Sequence, residues 1–187
     1  KLVLFDIDGT LIRPLVGGKA LTRFSYAIKK VYGVSVNVDE LSWGERYNGK
    51  GDQWIIHDLM RDADVSDEKI LSGLDSVGVA FCEYLDRLAK DHQLYGSIPD
   101  ARRLVNAVTA SPSHVSAVLT GNLGPSAEWK LQHTGYPLFY EFGVFGHEAR
   151  DRSELANLVI PKAKKHLGYD ISGRDIIIIG DTVHDIT

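Results

Sequence analysis

Apolar residues fall along this chain in two distinct rhythms. Four short runs are apolar without alternation: Leu2 to Phe5, Val115 to Leu119, Phe142 to Phe145 and Ile176 to Ile179. Uninterrupted runs of this length predict strands buried on both faces of a parallel sheet. The IIII run between Asp175 and Gly180 is the clearest, being β-branched and too short for a helix. Between the later runs the period changes to that of a helix. Pro99 to Val108 carries Leu104, Val105 and Val108 on one face, and Leu155 to Leu167 ends at Gly168, a natural residue for a left-handed helix stop. Strands alternating with helices predict an α/β layered sheet.

The stretch from about Leu15 to Tyr95 has the helical period only. Leu21, Phe24, Ile28 and Val31 form one stripe that stops at Gly33. A second helix is predicted to start with Ser66 as N-cap, with Asp67 and Glu68 in its first turn and Val65 stapled to Ile70. Its stripe runs through Ile70, Leu74, Val77, Phe81, Leu85 and Leu88. A helical block of this size is too long for an ordinary strand-to-helix connection. The reading is an α/β core, residues 1–14 and 96–187, with a helical subdomain, residues 15–95, inserted after the first strand.

Composition narrows the function. At 187 residues, with 44% hydrophobic and 25% charged content, the chain is an ordinary globular domain able to bury roughly 70% of its unfolded surface. A net charge of -4 and the lack of a basic block argue against nucleic acid as a partner. No apolar run reaches the about 18 residues of a membrane span, and no signal segment precedes Leu2, so a cytoplasmic protein is expected. The single cysteine, Cys82, lies on a helical apolar stripe and is expected to be a packed, inert thiol. A sheet of this kind is also expected to continue past Thr187 with a further strand and helix.

The polar residues gather at the strand ends. The first strand ends in Asp6-Ile7-Asp8-Gly9-Thr10, the second in Thr120-Gly121-Asn122, the fourth in Gly180-Asp181 with Asp185 four residues on. Each is explicable alone as a turn or cap. Together they are not, because open parallel sheets bind ligands outside the carboxyl ends of their strands. Two ionised carboxylates about 4 Å apart repel by about 4 kcal/mol at an effective dielectric of about 20, so Asp6 and Asp8 suggest a bound cation. Oxygen ligands without histidine or cysteine partners suit magnesium better than zinc. Neither a P-loop nor a dinucleotide fingerprint is present, so a phosphate group would belong to the reacting substrate.

DIDGT at Asp6 to Thr10, LTGN at Leu119 to Asn122, a basic residue at Arg152 and GDTVHD at Gly180 to Asp185 resemble, in order and spacing, the haloacid dehalogenase superfamily. The likeness is to its phosphatases with an inserted helical cap, of phosphoglycolate-phosphatase type, which have a Rossmann-like core. The resemblance implies magnesium-dependent hydrolysis of a small phosphorylated metabolite. Asp6 would be the nucleophile, forming an aspartyl-phosphate, and Asp8 the general acid and base, oriented by Thr10. Thr120 and the Gly121 backbone would bind the phosphoryl oxygens, with Asn122 beside them. Asp6, Asp8 through its carbonyl, Asp181 and Asp185 would hold magnesium. Arg152 stands where many relatives carry a lysine, and Lys162 is its competitor. In the cap, YNGKGDQW (Tyr47 to Trp54) resembles the loop that closes over substrate, with Lys50 placed to reach it. A hydrolytic dehalogenase would lack Asp8, and a phosphonate-cleaving relative would replace it. A phosphohexomutase of the beta-phosphoglucomutase kind would keep every core residue and is the alternative, ahead of a non-catalytic phosphate-binding module.

Overall fold

The computed structural model describes residues 1–39, 42–136 and 138–182. At its centre β1 (Leu2–Phe5), β4 (Val115–Leu119), β5 (Phe142–Val144) and β6 (Ile176–Ile179) form a parallel sheet in the order β5-β4-β1-β6. The four apolar runs are therefore the four strands. β1 lies inside the sheet with every residue buried, as its unbroken apolar run requires. β6 departs from expectation: Ile177 and Ile178 are 43% and 39% exposed. It stands at the edge of the described sheet and pairs with β1 alone, so its apolar run is only partly covered.

Three further helices belong to this layer: α5 (Ala101–Thr109), α6 (Gly124–His133) and α7 (Arg152–Leu167). α7 is opened by an Asp151/Glu154 capping box and closed by Gly168 at φ 78°. Leu155, Val159 and Ala163 pack it on Leu2, Leu4, Ala117 and Leu119.

The inserted region contains α1 (Arg23–Tyr32), α2 (Trp43–Tyr47), α3 (Asp52–Leu59) and α4 (Asp67–Ala89). Ser66 caps α4 as expected, its hydroxyl accepting from the Lys69 N–H at 3.3 Å. Phe24, Ile28, Ile55, Ile56, Leu74, Val77 and Phe81 make a core of their own for these helices. α4 does not stop at that core. Leu85 is buried with Phe5, Ile12, Val118 and Trp129, and Cys82 and Leu88 pack against the same group, so one helix is shared between two cores.

Where the chain leaves the sheet layer and where it returns, two three-residue strands pair antiparallel: β2 (Ile12–Pro14) with β3 (Tyr95–Ser97). Backbone bonds from Leu15 N–H to Leu94 and from Ile98 N–H to Leu11 extend the ribbon at both ends. Among the described residues no helix is long and apolar enough to cross a membrane.

Candidate active site

Asp6 follows β1 directly and its backbone N–H is held by the Ile179 carbonyl at 2.9 Å, tying it to the end of β6. The side chain is buried, and Arg152, the first residue of α7, meets its Oδ2 at 2.8 Å. Burial pushes the Asp6 carboxyl up to about 6, although the Arg152 guanidinium pulls the other way. The charge pair is too deeply desolvated for one arginine to offset the cost.

Gly9 shapes the turn that follows. Its φ of 80° favours glycine, and a Cβ there would run into the Asp181 carboxylate. That close approach brings a residue from the last strand's end against the loop after the first. Asp6, Asp8, Asp181, Thr120, Gly121, Asn122, Arg152 and Lys50 all line one cavity of about 460 Å³. Residues more than a hundred positions apart therefore share one wall, as the strand ends predicted. Thr120 is buried, its hydroxyl accepting from the Asn122 amide at 2.8 Å. Asp185 lies outside the described residues.

Asp8 has partners that the sequence motifs do not supply. Lys130 donates to its Oδ2 at 2.7 Å, and the Asn122 amide donates to the same atom at 2.7 Å. Lys130 also donates to Asn122 Oδ1 at 2.6 Å and lies 5.2 Å from the centre of the Tyr95 ring. Burial alone would raise the Asp8 carboxyl, but Lys130, followed by Asn122, holds it below the usual carboxylate range. Lys130 shows the converse: burial would lower it, and Asp8 keeps it raised and charged. Thr10, expected to orient Asp8, makes no such bond: its buried hydroxyl has no partner among the described residues. Lys130 and Asn122 hold Asp8 instead.

A signal for Lys130 existed. Leu123, Ala127, Lys130, Leu131 and Thr134 follow the three- and four-residue steps of one helix face, and a lysine inside an apolar stripe requires a buried partner. Lys162 is not a rival for the site. It donates to the Gly143 carbonyl at 2.8 Å and pairs with Glu148, ten residues and about 15 Å of helix rise beyond Arg152. Cys82 is part-buried, with its thiol pushed up to about 11 chiefly by burial, which fits an inert packing role.

The helical insertion is closed over the cavity. The Asp52 N–H donates to the Gly121 carbonyl at 2.7 Å, and Asp52 Oδ2 accepts from the Leu123 N–H at 2.9 Å. The backbones approach so closely that a Cβ on Gly121 would lie 2.8 Å from the Gly51 Cα. The Gln53 amide, oriented to satisfy both its groups, donates to the carbonyls of Gly146 and Ala149 at 3.2 Å.

Two carboxylates, Asp6 and Asp181, line the cavity and are hard oxygen donors of the kind a divalent cation such as magnesium takes, with the Asp181 carboxylate lying against Gly9 where any side chain would displace it. Among the described residues no three histidine, cysteine or acidic side chains gather into a metal cluster. The expected set has two such side chains here, since Asp8 would contribute its backbone and Asp185 lies outside.

Comparison with solved structures agrees on the fold. CbbY from Rhodobacter sphaeroides, solved in complex with phosphate, superposes with a TM-score of 0.68 at 18% identity, over 98% of this chain and 78% of that one. A predicted phosphoglycolate phosphatase from Haemophilus somnus 129pt gives 0.60 at 18% identity, over 100% and 79%. A hydrolase from Pseudomonas syringae gives 0.61 at 16% identity, over 99% and 77%. No curated protein matches the chain by sequence. A family model for haloacid dehalogenase-like hydrolases matches residues 1–187, and the chain belongs to that family.

Proposed function

We propose that this hydrolase is a phosphatase, cleaving a small phosphate monoester through an aspartyl-phosphate on Asp6, with magnesium as cofactor. One observation carries the reading: the buried Asp6 carboxylate faces a cavity shared with Asp8, Thr120, Arg152 and Asp181. The complexes of CbbY with phosphate and with xylulose-(1,5)-bisphosphate support a small phosphorylated substrate for this chain as well. In this reading residues 15–95 are the cap and the remainder is the catalytic core.

Asp6 attacks phosphorus and the ester oxygen leaves, which divides one difficult hydrolysis into two easier steps. Arg152 presents N–H donors to the phosphoryl oxygens from the side where it already holds Asp6. The Thr120 hydroxyl and the Gly121 N–H take further oxygens as charge builds on them. Asp8 is ionised in the substrate-free molecule. It takes up a proton as the anionic ester enters beside it, because a like charge raises a carboxyl. It gives that proton to the departing alkoxide, then removes one from the water that cleaves the aspartyl-phosphate. Lys130 and Asn122 both donate to Oδ2 and so hold the carboxylate in place, leaving Oδ1 to perform both transfers. Asp6, Asp181, the Asp8 carbonyl and Asp185 would hold magnesium, which would neutralise charge on the phosphoryl group. Lys50, on the cap loop, would meet the far end of the substrate.

Phosphate release from p-nitrophenyl phosphate tests the proposal. Turnover is expected with magnesium, and its loss with EDTA and in Asp6→Asn. Equal turnover by Asp6→Asn contradicts it. With a hexose phosphate, release of inorganic phosphate is expected, and formation of an isomeric hexose phosphate without release would favour the mutase alternative.

A further inference from the structure

The cavity reaches past the reactive carboxylates to an ion pair that the hydrolytic steps do not use. Arg23, first residue of α1, and Asp52, first residue of α3, are 6% and 4% exposed, and both line the cavity. Arg23 Nη2 stands 3.6 Å from Asp52 Oδ1, beyond hydrogen-bond range. A guanidinium carries five N–H donors, yet Arg23 makes one hydrogen bond among the described residues, from Nη1 to the Ala20 carbonyl at 3.0 Å. Its Nε is buried without a partner among them. Asp52 uses Oδ2 for the Leu123 N–H, while Oδ1 accepts no hydrogen bond from the described residues. Buried charges are costly unless their remaining donors and lone pairs are met. Here both partners are half met, and both face the same cavity.

We infer that Arg23 and Asp52 read hydroxyl groups of the leaving alcohol, so that the substrate is a sugar-like, uncharged polyol phosphate rather than the phosphate of a short carboxylic acid. The inference rests on the phosphatase reading. A hydroxyl donates and accepts at once, so a single one can donate to Asp52 Oδ1 and accept from Arg23, completing both. A carboxylate or second phosphate at that place would gain Arg23 but lie against the Asp52 charge. The remaining walls agree. Trp43, Tyr47 and Tyr95 line the cavity and add aromatic surface of the kind that packs against the C–H side of a sugar. A volume of about 460 Å³ falls in the usual range for small-molecule sites, about 300–1,000 Å³, well beyond what a two-carbon acid fills.

Binding to Asp6→Asn, measured by calorimetry, tests this without turnover. The probes are glucose 6-phosphate, ribose 5-phosphate, phosphoglycolate and inorganic phosphate, each with magnesium. At least one sugar phosphate is expected to bind about ten-fold or more tightly than phosphoglycolate, the size expected for hydrogen bonds to charged groups. Adding Arg23→Met should lower the sugar-phosphate affinity relative to inorganic phosphate by about ten-fold. Arg23→Lys keeps the buried charge without the planar fork and should move the ratio the same way, with melting curves to confirm folding. Phosphoglycolate binding as tightly as the sugar phosphates, or a ratio untouched by both Arg23 variants, overturns the inference. The underlying reading fails separately, if wild-type protein with magnesium releases no phosphate from any ester.

Discussion

Asp6 illustrates how a residue can be badly placed for stability and well placed for chemistry. Its carboxyl is raised to about 6 from an ordinary 3.8. Between those values the folded chain holds a proton that the unfolded chain has released, so stability falls as pH rises from about 4 to about 6. A rise of that size in pKa corresponds to about 3 kcal/mol. Asp6→Asn, which removes the charge, should therefore gain stability over the wild type by up to about 3 kcal/mol at pH 7 in EDTA, and much less at pH 4. Urea unfolding at the two pH values measures this, and an equal difference at both would count against it. Lys130 belongs to the same network with the opposite sign. Removing it takes the charged partner from Asp8, whose part-exposed side chain keeps the Asn122 bond and some solvent, so the cost is smaller than for a fully buried pair. Lys130→Met should lower the melting temperature and reduce kcat at least as much as KM changes. A normal kcat would remove Lys130 from the positioning of Asp8. That Asp6, Asp8, Thr120 and Asp181 line one cavity was legible in the sequence, because strand ends declare their polar residues in consecutive positions. Lys130 was legible only as a lysine in an apolar helix face that needs a buried partner, because the local pattern does not say which distant residue that partner is. The resemblance implies that Thr10 orients Asp8, whereas among the described residues Lys130 and Asn122 make the bonds to Asp8 and the Thr10 hydroxyl makes none.

The elements that hold the cap down are small and local. Asp52 bridges to Gly121 and Leu123 through backbone groups, and Gly51 rides against Gly121 with no room for a methyl group. Gly121→Ala should prevent the α3 end from seating, raising KM by about ten-fold, on the order of one lost charged hydrogen bond. Limited proteolysis of the segment between Tyr47 and Asp52 should become faster in parallel. Unchanged kinetics and proteolysis would show that this contact does not govern closure. Lys50→Ala should raise KM with metal binding intact, and unchanged kinetics would remove Lys50 from the site. At this scale legibility followed length. The long stripe of α4 was readable from end to end, whereas the three-residue strands β2 and β3 are too short for alternation to register. The run Ile176–Ile179 indicated its strand type correctly but not its burial, since edge position depends on neighbours that a local pattern cannot contain.

In the molecule as a whole, residues at the strand ends and residues of the helical insertion line one cavity together. α4 is buried in both cores, and the β2–β3 ribbon carries both chain crossings. In the proposed reading the carboxyl ends of the strands supply the chemistry and the inserted helices the choice of alcohol, so variants in one should separate kinetically from variants in the other. The family and the α/β architecture were legible from periodicity and strand-end motifs together. The sharing of α4 was not, because its apolar stripe is continuous across the two cores.

The account depends on Asp6 becoming covalently phosphorylated. Acid-quenched protein, stopped within one turnover of p-nitrophenyl phosphate with magnesium and treated with borohydride, should carry homoserine at position 6, read by mass spectrometry of the peptide that contains it. Unmodified Asp6 in a turning-over enzyme, or reduction at any other carboxylate, would contradict the account.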